Sequence, residues 1–261
     1  MDPRRLDEIA TAATVSPIEA DVGGWWCKAA PDLPFRRCNV AVPPVDAAED
    51  RMLFVDGLDQ VRRWYHHQGL RLIVQVSTAL PEWDLVDAWL EAAGLGFEAP
   101  VHLMTAQDVF VCDQCVENAR QRVEVATGID EGWADAYGVV FGGGPVEVAR
   151  TQAYGRMLTA LGDRALGASY RVDGQVVGVG FGVLDDGWLG IFGMGTAPEH
   201  RRQGVASHVV HALQEAARQR GVERSYLQVE TDNAGAIRLY EELEFVISHG
   251  YHYRSEAEPP R

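Results

Sequence analysis

The chain has 261 residues, a length that suits one large domain or two modest ones. Its 47% hydrophobic and 23% charged residues are ordinary for a globular protein, and no apolar run approaches the roughly 20 residues that span a membrane. A net charge of −15 argues against a general nucleic-acid binder, because phosphate contacts need a basic surface. Residues 1–24 are partly acidic and lack the apolar stretch of a secretory signal, so we expect a cytoplasmic protein.

The four cysteines predict reduced thiols rather than a disulfide scaffold. Cys112 and Cys115 have the Cys-x-x-Cys spacing of a metal or redox pair. A structural zinc would need two further ligands, and the sequence places no second such pair and no His-x-x-x-His nearby. We therefore interpret the pair as incidental and expect no metal.

Hydrophobic periodicity predicts the elements of the first half. In chain order they are a helix at 4–13, strands at 23–28 and 35–40, a helix at 55–67, a strand at 70–77, a helix at 84–93, and strands at 101–105 and 109–111.

The second half is predicted by the same patterns, with stronger turn signals. The elements are a strand at 121–127, helices at 130–141 and 145–161, strands at 165–171, 175–184 and 188–196, a helix at 203–220, a strand at 225–230, a helix at 234–243 and a strand at 246–254. Asp173-Gly174 between two alternating runs predicts a hairpin, and Gly142-Gly143-Gly144 separates the two helices. The polar tail that follows is expected to be disordered.

The most informative stretch is 190–220, where an apolar strand leads through a basic, glycine-bearing loop into a helix. Amide N–H groups at a helix start are unpaired and point outward, and the helix dipole adds positive charge there. Glycine permits close approach of a ligand, and arginine forks match phosphate oxygens. The predicted anion site comprises Arg201, Arg202, Gln203, Gly204, Val205, Ala206 and Ser207. The alternative is an ordinary strand-turn-helix with solvated arginines.

The order Arg201-x-x-Gly204-x-Ala206 after a strand and a Pro-Glu turn resembles the pyrophosphate-binding motif of the GNAT superfamily, the acyl-CoA-dependent N-acyltransferases. A second signature at 227–245 reads as strand, turn with Asn233, and short helix ending in Tyr240-x-x-x-x-Phe245. The resemblance covers residues 122–254. It implies an α/β (α+β) fold with a mixed, mostly antiparallel central sheet flanked by helices.

An internal repeat relates the two halves. Matching strand-helix units recur at offsets of 152, 153 and 148 residues: Gly69 with Gly221, Gln75 with Gln228, and Phe97 with Phe245. We therefore predict a degenerate GNAT-like domain at 1–118 and a catalytic GNAT domain at 119–261. The alternative is chance similarity between two strand-helix units.

The first copy lacks the basic loop, because its equivalent region, 45–57, is acidic. Trp89 or Leu90 stands where the second copy has Tyr240. We therefore expect that the first copy does not bind CoA. The resemblance is to bacterial two-copy members in particular.

The resemblance also implies roles for residues outside the loop. Met194, Gly195 and Thr196 would pair with the pantetheine arm of acetyl-CoA, and Gly193 and Gly195 suit a bulged or closely approached strand. Tyr240 would be the acid for the leaving thiolate, and Asn233 would bond the pantetheine or cap the helix.

The general base is less well defined, because apolar residues occupy the strand position where family members often have a glutamate. Glu230 is the best local candidate, directly or through water. Asp185, Asp186, His249 and His252 stay open, whereas His200 and His208 are expected at the surface.

The sequence thus predicts an N-acetyltransferase that moves an acetyl group from acetyl-CoA to a primary amine of a small molecule, peptide or protein. No nucleic-acid, membrane or metal partner is expected, and the sequence is silent on oligomeric state. The alternatives are a non-catalytic acyl-CoA-binding regulatory or interaction protein, and a transferase with a longer donor such as succinyl-CoA.

Overall fold

The computed structural model describes residues 2–107 and 122–257. The helices are α1 (Pro3–Ala12), α2 (Arg51–His67), α3 (Trp83–Ala92), α4 (Glu131–Phe141), α5 (Pro145–Met157), α6 (Val205–Arg218) and α7 (Ala234–Glu242). The strands are β1 (Ile18–Val22), β2 (Trp25–Ala29), β3 (Ala41–Val42), β4 (Ile73–Ser77), β5 (Gly96–Ala106), β6 (Val123–Thr127), β7 (Ala165–Val172), β8 (Gln175–Asp185), β9 (Trp188–Thr196), β10 (Arg224–Glu230) and β11 (Val246–Ser255).

The chain forms two compact units that do not follow a single cut of the sequence. The first unit comprises Met1–Leu103, Val229–Asn233 and Ile247–Arg261, and the second comprises Met104–Gln228 and Ala234–Val246. The predicted boundary between residues 118 and 119 lies outside the described residues and stays a prediction. The Cys112–Cys115 pair and the predicted strand at 109–111 also lie outside them.

In the first unit the strand order is β1-β2-β3-β4-β11-β5. Side chains of β4 alternate between two faces. Val74 and Val76 pack in a core with residues of α2 and α3, including Leu58 and Leu90. Ile73 packs on the opposite face with a second group that includes Tyr253. This alternation is the period of two expected of a strand buried on both sides.

The last strand of the chain, β11, completes this first unit. It pairs antiparallel with β4, from Tyr251↔Ser77 to Ser255↔Ile73. Arg254 is only 6% exposed, and its Nε and Nη2 atoms donate to the two oxygens of Asp87 on α3, both at 2.7 Å. A bidentate pair of this kind is among the stronger polar contacts in proteins, so it holds the strand against α3.

Two predicted strands of the first half are corrected by the structure. The run at 23–28 begins as a turn, because Gly23 and Gly24 adopt φ of +60° and +84° and join β1 to β2. The predicted strand at 35–40 is wrong. Arg36–Cys38 forms a 3₁₀ turn. The side-chain Nδ2 of Asn39 donates to the carbonyl oxygens of Leu33 and Phe35, and these bonds fold the loop back on itself.

In the second unit the strand order is β10-β9-β8-β7-β6, and every neighbouring pair is antiparallel except β9 with β10. This mixed, mostly antiparallel sheet with flanking helices confirms the predicted fold class. The hairpin at Asp173-Gly174 is also confirmed, with both residues at positive φ. The predicted helix at 145–161 ends earlier, at Met157, and continues as a 3₁₀ segment.

The second sheet lies between α6 and α4. On β8, a Cβ on Gly178 would meet Val205 of α6, and a Cβ on Gly180 would meet Val209 of the same helix. A Cβ on Gly195 of β9 would meet Phe141 of α4 instead. Glycines therefore let both helices approach the sheet closely.

Candidate active site

The parallel strands of the second unit separate before they end. β9 pairs with β10 from Trp188↔Arg224 to Ile191↔Leu227, but β9 continues to Thr196. Within the described residues of this unit, 192–196 therefore have a strand partner only on the β8 side. Met194, Gly195 and Thr196 are half-buried there. Their unpaired backbone edge can hydrogen-bond an extended ligand in the way that a further strand would.

A β-bulge lies at the same place. Phe181 pairs with Phe192, yet Val179 pairs with Gly195, so β9 has one residue more than β8 between these pairs. Gly193 adopts a φ of +57°, and a Cβ there would lie 2.9 Å from the ring of Tyr137. The bulge therefore requires glycine, for backbone conformation and for space. The expectation of a bulged or closely approached strand at Gly193 and Gly195 is confirmed.

The basic loop leads into an uncapped helix. Gly204, at φ +78°, is the N-cap of α6 and has no side chain to cap it. The first bond within the helix runs from the amide of His208 to the carbonyl oxygen of Gly204, at 3.1 Å. The preceding helical amides, those of Val205, Ala206 and Ser207, therefore have no acceptor in the helix. Amides in this arrangement can bind an anion.

The loop side chains are exposed and add positive charge. Arg201 donates from Nε to the carbonyl oxygen of Thr196 at 3.2 Å, and Gln203 donates to the carbonyl oxygen of Glu199 at 3.0 Å. No carboxylate of the described residues pairs with Arg201 or Arg202. Both guanidinium groups therefore remain available to phosphate oxygens.

His208 lies on the first turn of α6, beside the basic loop. It is half-buried, and its Nδ1 lies 2.7 Å from the carbonyl oxygen of Gly204. Its ring centroid is 5.7 Å from that of Tyr170. The contact with His208 thus helps to fix the conformation of the basic loop at Gly204.

Tyr240 on α7 belongs to the second unit and is 7% exposed. Its ring packs edge-on against Phe245, with centroids 6.0 Å apart. Its carbonyl oxygen accepts hydrogen bonds from the amides of Leu243 and Phe245 and so ends the helix. The role of Tyr240 as an acid stays a prediction.

Glu230 and Asn233 lie in the first unit. Glu230 is 51% exposed and accepts a hydrogen bond from Arg36 at 2.8 Å through Oε1. The amide of Asn233 donates to the carbonyl oxygen of Glu230 at 3.0 Å. The roles of both residues stay predictions.

Several other candidate bases are engaged by neighbouring side chains. Asp185 accepts from Arg164 at 3.0 Å, His249 lies 2.8 Å from Asp7, and His252 lies 2.5 Å from Asp87. These partners give each group a structural role.

An aromatic stack on α4 was missed by the sequence interpretation. Trp133, Tyr137 and Phe141 lie on one helical face, with successive centroids 4.9 and 4.6 Å apart. The indole N–H of Trp133 donates to the carbonyl oxygen of Ala168 at 3.0 Å. Tyr137 and Phe141 lie against Gly193 and Gly195. The spacing of four residues was the available signal.

Within the described ranges, 2–107 and 122–257, no group of three His, Cys, Asp or Glu side chains is arranged to hold a metal ion. None of the helices in those ranges combines the length and apolar character that crossing a bilayer requires.

The chain is similar to known acetyltransferases. A sequence profile of the Acetyltransferase (GNAT) family matches residues 133–245. An uncharacterized N-acetyltransferase of Bacillus subtilis, YobR, is 23% identical over 256 residues, which cover 97% of this chain and 98% of that protein.

Solved structures share the fold. A GCN5-related N-acetyltransferase from Kribbella flavida superposes with a TM-score of 0.69 at 17% identity, over 99% of this chain and 96% of that one. A tandem GNAT protein from the clavulanic acid biosynthesis pathway has a TM-score of 0.62 at 14% identity, over 85% and 76% of the two chains.

Proposed function

We propose that this chain is a member of the GNAT acetyltransferase family and that it moves an acetyl group from acetyl-CoA to a primary amine by direct attack. The observation that carries the proposal is the open N-terminus of α6 directly after the unpaired edge of β9. The loop amides and Arg201 and Arg202 would bind the pyrophosphate. Met194, Gly195 and Thr196 would bind the amide groups of the pantetheine arm.

The reaction forms a carbon–nitrogen bond and breaks the carbon–sulfur bond of the thioester. The acceptor must lose a proton to become nucleophilic, and the leaving thiolate gains one. Tyr240 would supply the second proton, since a phenol is still protonated near neutral pH. Glu230 would take the first through water. Arg36 engages only its Oε1, and no described residue bonds Oε2.

The aromatic stack supports a small, uncharged acyl group. Tyr137 and Phe141 cover the bulge of β9 with apolar surface. A succinyl group carries a carboxylate, which such a surface would desolvate without compensation. Acetyl is therefore the donor group we favour over succinyl.

The first experiment is a calorimetric titration of acetyl-CoA into the full chain. We expect one site per chain. Two sites would contradict the inference that the first copy is degenerate. Absence of binding would overturn the assignment of acetyl-CoA as donor.

Turnover would then be measured with a panel of small amines and peptides, through release of the CoA thiol. Protein incubated with the thiol reagent but without acetyl-CoA corrects for its own cysteines. Binding without turnover across the panel would favour the alternative, a non-catalytic acyl-CoA-binding regulatory protein.

A further inference from the structure

We propose that the first unit binds a small organic cation with a primary ammonium group, in a cavity where strands β3 and β4 separate. The cavity has a volume of about 120 Å³. That is room for about four water molecules or a short alkyl chain with one polar head. All of its lining residues belong to the first unit and none has a role in the proposed acetyl transfer, so this proposal does not depend on that one.

The position of the cavity follows from the strand register. β3 and β4 are parallel and pair only at Ala41↔Val74. Beyond that pair the strands separate, and α1 covers the gap. The lining residues that carry the argument are Asp7, Thr11, Trp26, Pro43, Gln75 and Ser77.

Two buried polar side chains in the lining have no partner. Gln75 and Thr11 are each 8% exposed. Within the described part of the chain, neither the amide of Gln75 nor the hydroxyl of Thr11 forms a hydrogen bond. Their polar atoms are not sealed off in the protein interior, and both residues line the cavity, so a ligand in the cavity can bond them.

The buried charge of the lining is negative. Asp7 has a side chain that is 14% exposed, and its oxygens bond Ser77 at 2.5 Å and His249 at 2.8 Å. Glu8 also lines the cavity and is paired with Arg5 at 2.7 Å. Arg4, the one cation of the lining, is paired with Asp2 at 2.9 Å. A cation is therefore favoured over an anion.

Trp26 contributes an aromatic wall of the kind that attracts organic cations. The Nζ of Lys28 lies 4.9 Å from the centroid of this ring. Lys28 donates to the carbonyl oxygen of Thr11 at 2.7 Å and pairs with Glu19 at 3.1 Å. Its charge is thus balanced by a carboxylate, and its bond to Thr11 holds the end of α1 in place.

The rest of the lining is apolar and suits a short hydrocarbon chain, with Val42, Pro43 and Leu80 as walls. Coenzyme A is too large for this volume. The ligand class is therefore a short alkylammonium, with its head towards Asp7, Thr11 and Gln75.

The test is an NMR titration of the full chain with n-butylammonium, with 1-butanol as neutral and butyrate as anionic analogue. We expect n-butylammonium to shift the Trp26 indole and Gln75 amide signals, with an affinity at least tenfold above that of 1-butanol, and butyrate to leave them unchanged. Equal affinity for amine and alcohol, or no shift at Trp26 and Gln75, would overturn the proposal.

Variants make the test specific. Gln75→Leu removes the amide that lines the cavity, so it should weaken n-butylammonium binding at least tenfold. Gln214→Leu is the control outside the cavity: Gln214 is 6% exposed, its Nε2 donates to Ser225 at 3.1 Å, and its Oε1 has no partner among the described residues. It should leave n-butylammonium binding unchanged. Unaltered binding in Gln75→Leu would contradict the assignment.

Asp7→Asn tests the charge separately. It should remove the preference for n-butylammonium over 1-butanol rather than all binding. Gly204→Glu, which alters the proposed acetyl-CoA site, should leave this binding intact. The two proposals can therefore fail independently.

Discussion

Each unit contains a parallel strand pair that leads into a helix, and the two helix starts differ in how their amides are satisfied. In the first unit the side chain of Asp50 caps α2 and accepts hydrogen bonds from the amides of Met52 and Leu53, at 2.8 and 3.2 Å. In the second unit the cap of α6 is Gly204, which offers no side chain. The helix N-terminus after the parallel strand is thus capped by a side chain in the first unit and uncapped in the second.

The N-cap residue therefore determines whether such a helix start can bind an anion. A carboxylate at the cap uses the amides that a phosphate would need and repels the phosphate as well. Glycine leaves the amides free. This contrast supports the expectation that the first copy does not bind CoA.

The largest effect is expected for Gly204→Glu, which places a carboxylate at the open helix start. Acetyl-CoA affinity should fall at least 100-fold, about 2.8 kcal/mol, because the added charge repels phosphate. Calorimetric titration of acetyl-CoA into the wild-type protein and the variant measures this loss of affinity.

Gly221→Glu is the matched control for backbone strain and charge. Gly221 also has a φ of +78°, and a Cβ there would have nothing within 4 Å. This variant should bind acetyl-CoA normally. Equal loss of affinity in both variants would show that strain, rather than the loop, is responsible.

Tyr240→Phe should lower turnover about 100-fold while leaving acetyl-CoA affinity within about twofold, because only the proton donor is lost. The phenylalanine keeps the contact with Phe245. Steady-state kinetics with calorimetry separate the two quantities. Tyr170→Phe, at another buried tyrosine of the same unit, is the control and should turn over normally. An unchanged rate in Tyr240→Phe would exclude this residue as the acid.

The first unit depends on a strand from the end of the chain, and Asp87→Asn tests that attachment. Burial opposes ionisation of Asp87, but hydrogen bonds from Arg254 and His252 hold its pKa below the usual value. The variant should lose about 1.5–3 kcal/mol of unfolding free energy at pH 7.

The lowered pKa of Asp87 determines how its contribution to stability depends on pH. The stabilisation by ionised Asp87 is present above the pKa of this group in the unfolded chain, about 3.9. It is lost as pH falls through the lower pKa of the folded protein. The difference in unfolding free energy between the wild-type protein and Asp87→Asn, measured by urea denaturation, should therefore decrease below about pH 4. A gap independent of pH would contradict an ionic contribution.

The smallest effect is expected for Asp50→Ala, which removes the cap of α2. Unfolding free energy should fall by about 1 kcal/mol, with Asp50→Ser retaining most of it. The stoichiometry of acetyl-CoA should stay at one, because the loop before α2, residues 43–50, contains no arginine, unlike the loop before α6. A second site in Asp50→Ala would show that the cap alone had closed the first copy.

Features that depend on neighbouring residues could be predicted from the sequence alone. The loop at Arg201–Gly204, the helix after it, the Asp173-Gly174 hairpin and the bulge at Gly193 all follow from local dihedral preferences and side-chain periodicity. Each of these is decided within a few residues of chain.

Features that join distant residues became visible in the folded chain alone. It places β11 in the first unit, pairs Arg36 with Glu230 across 194 residues, and replaces the predicted strand at 35–40 by a turn held by Asn39. It also brings α1 over the cavity beside Gln75. These contacts depend on which groups meet after folding, and local periodicity contains no information about that pairing.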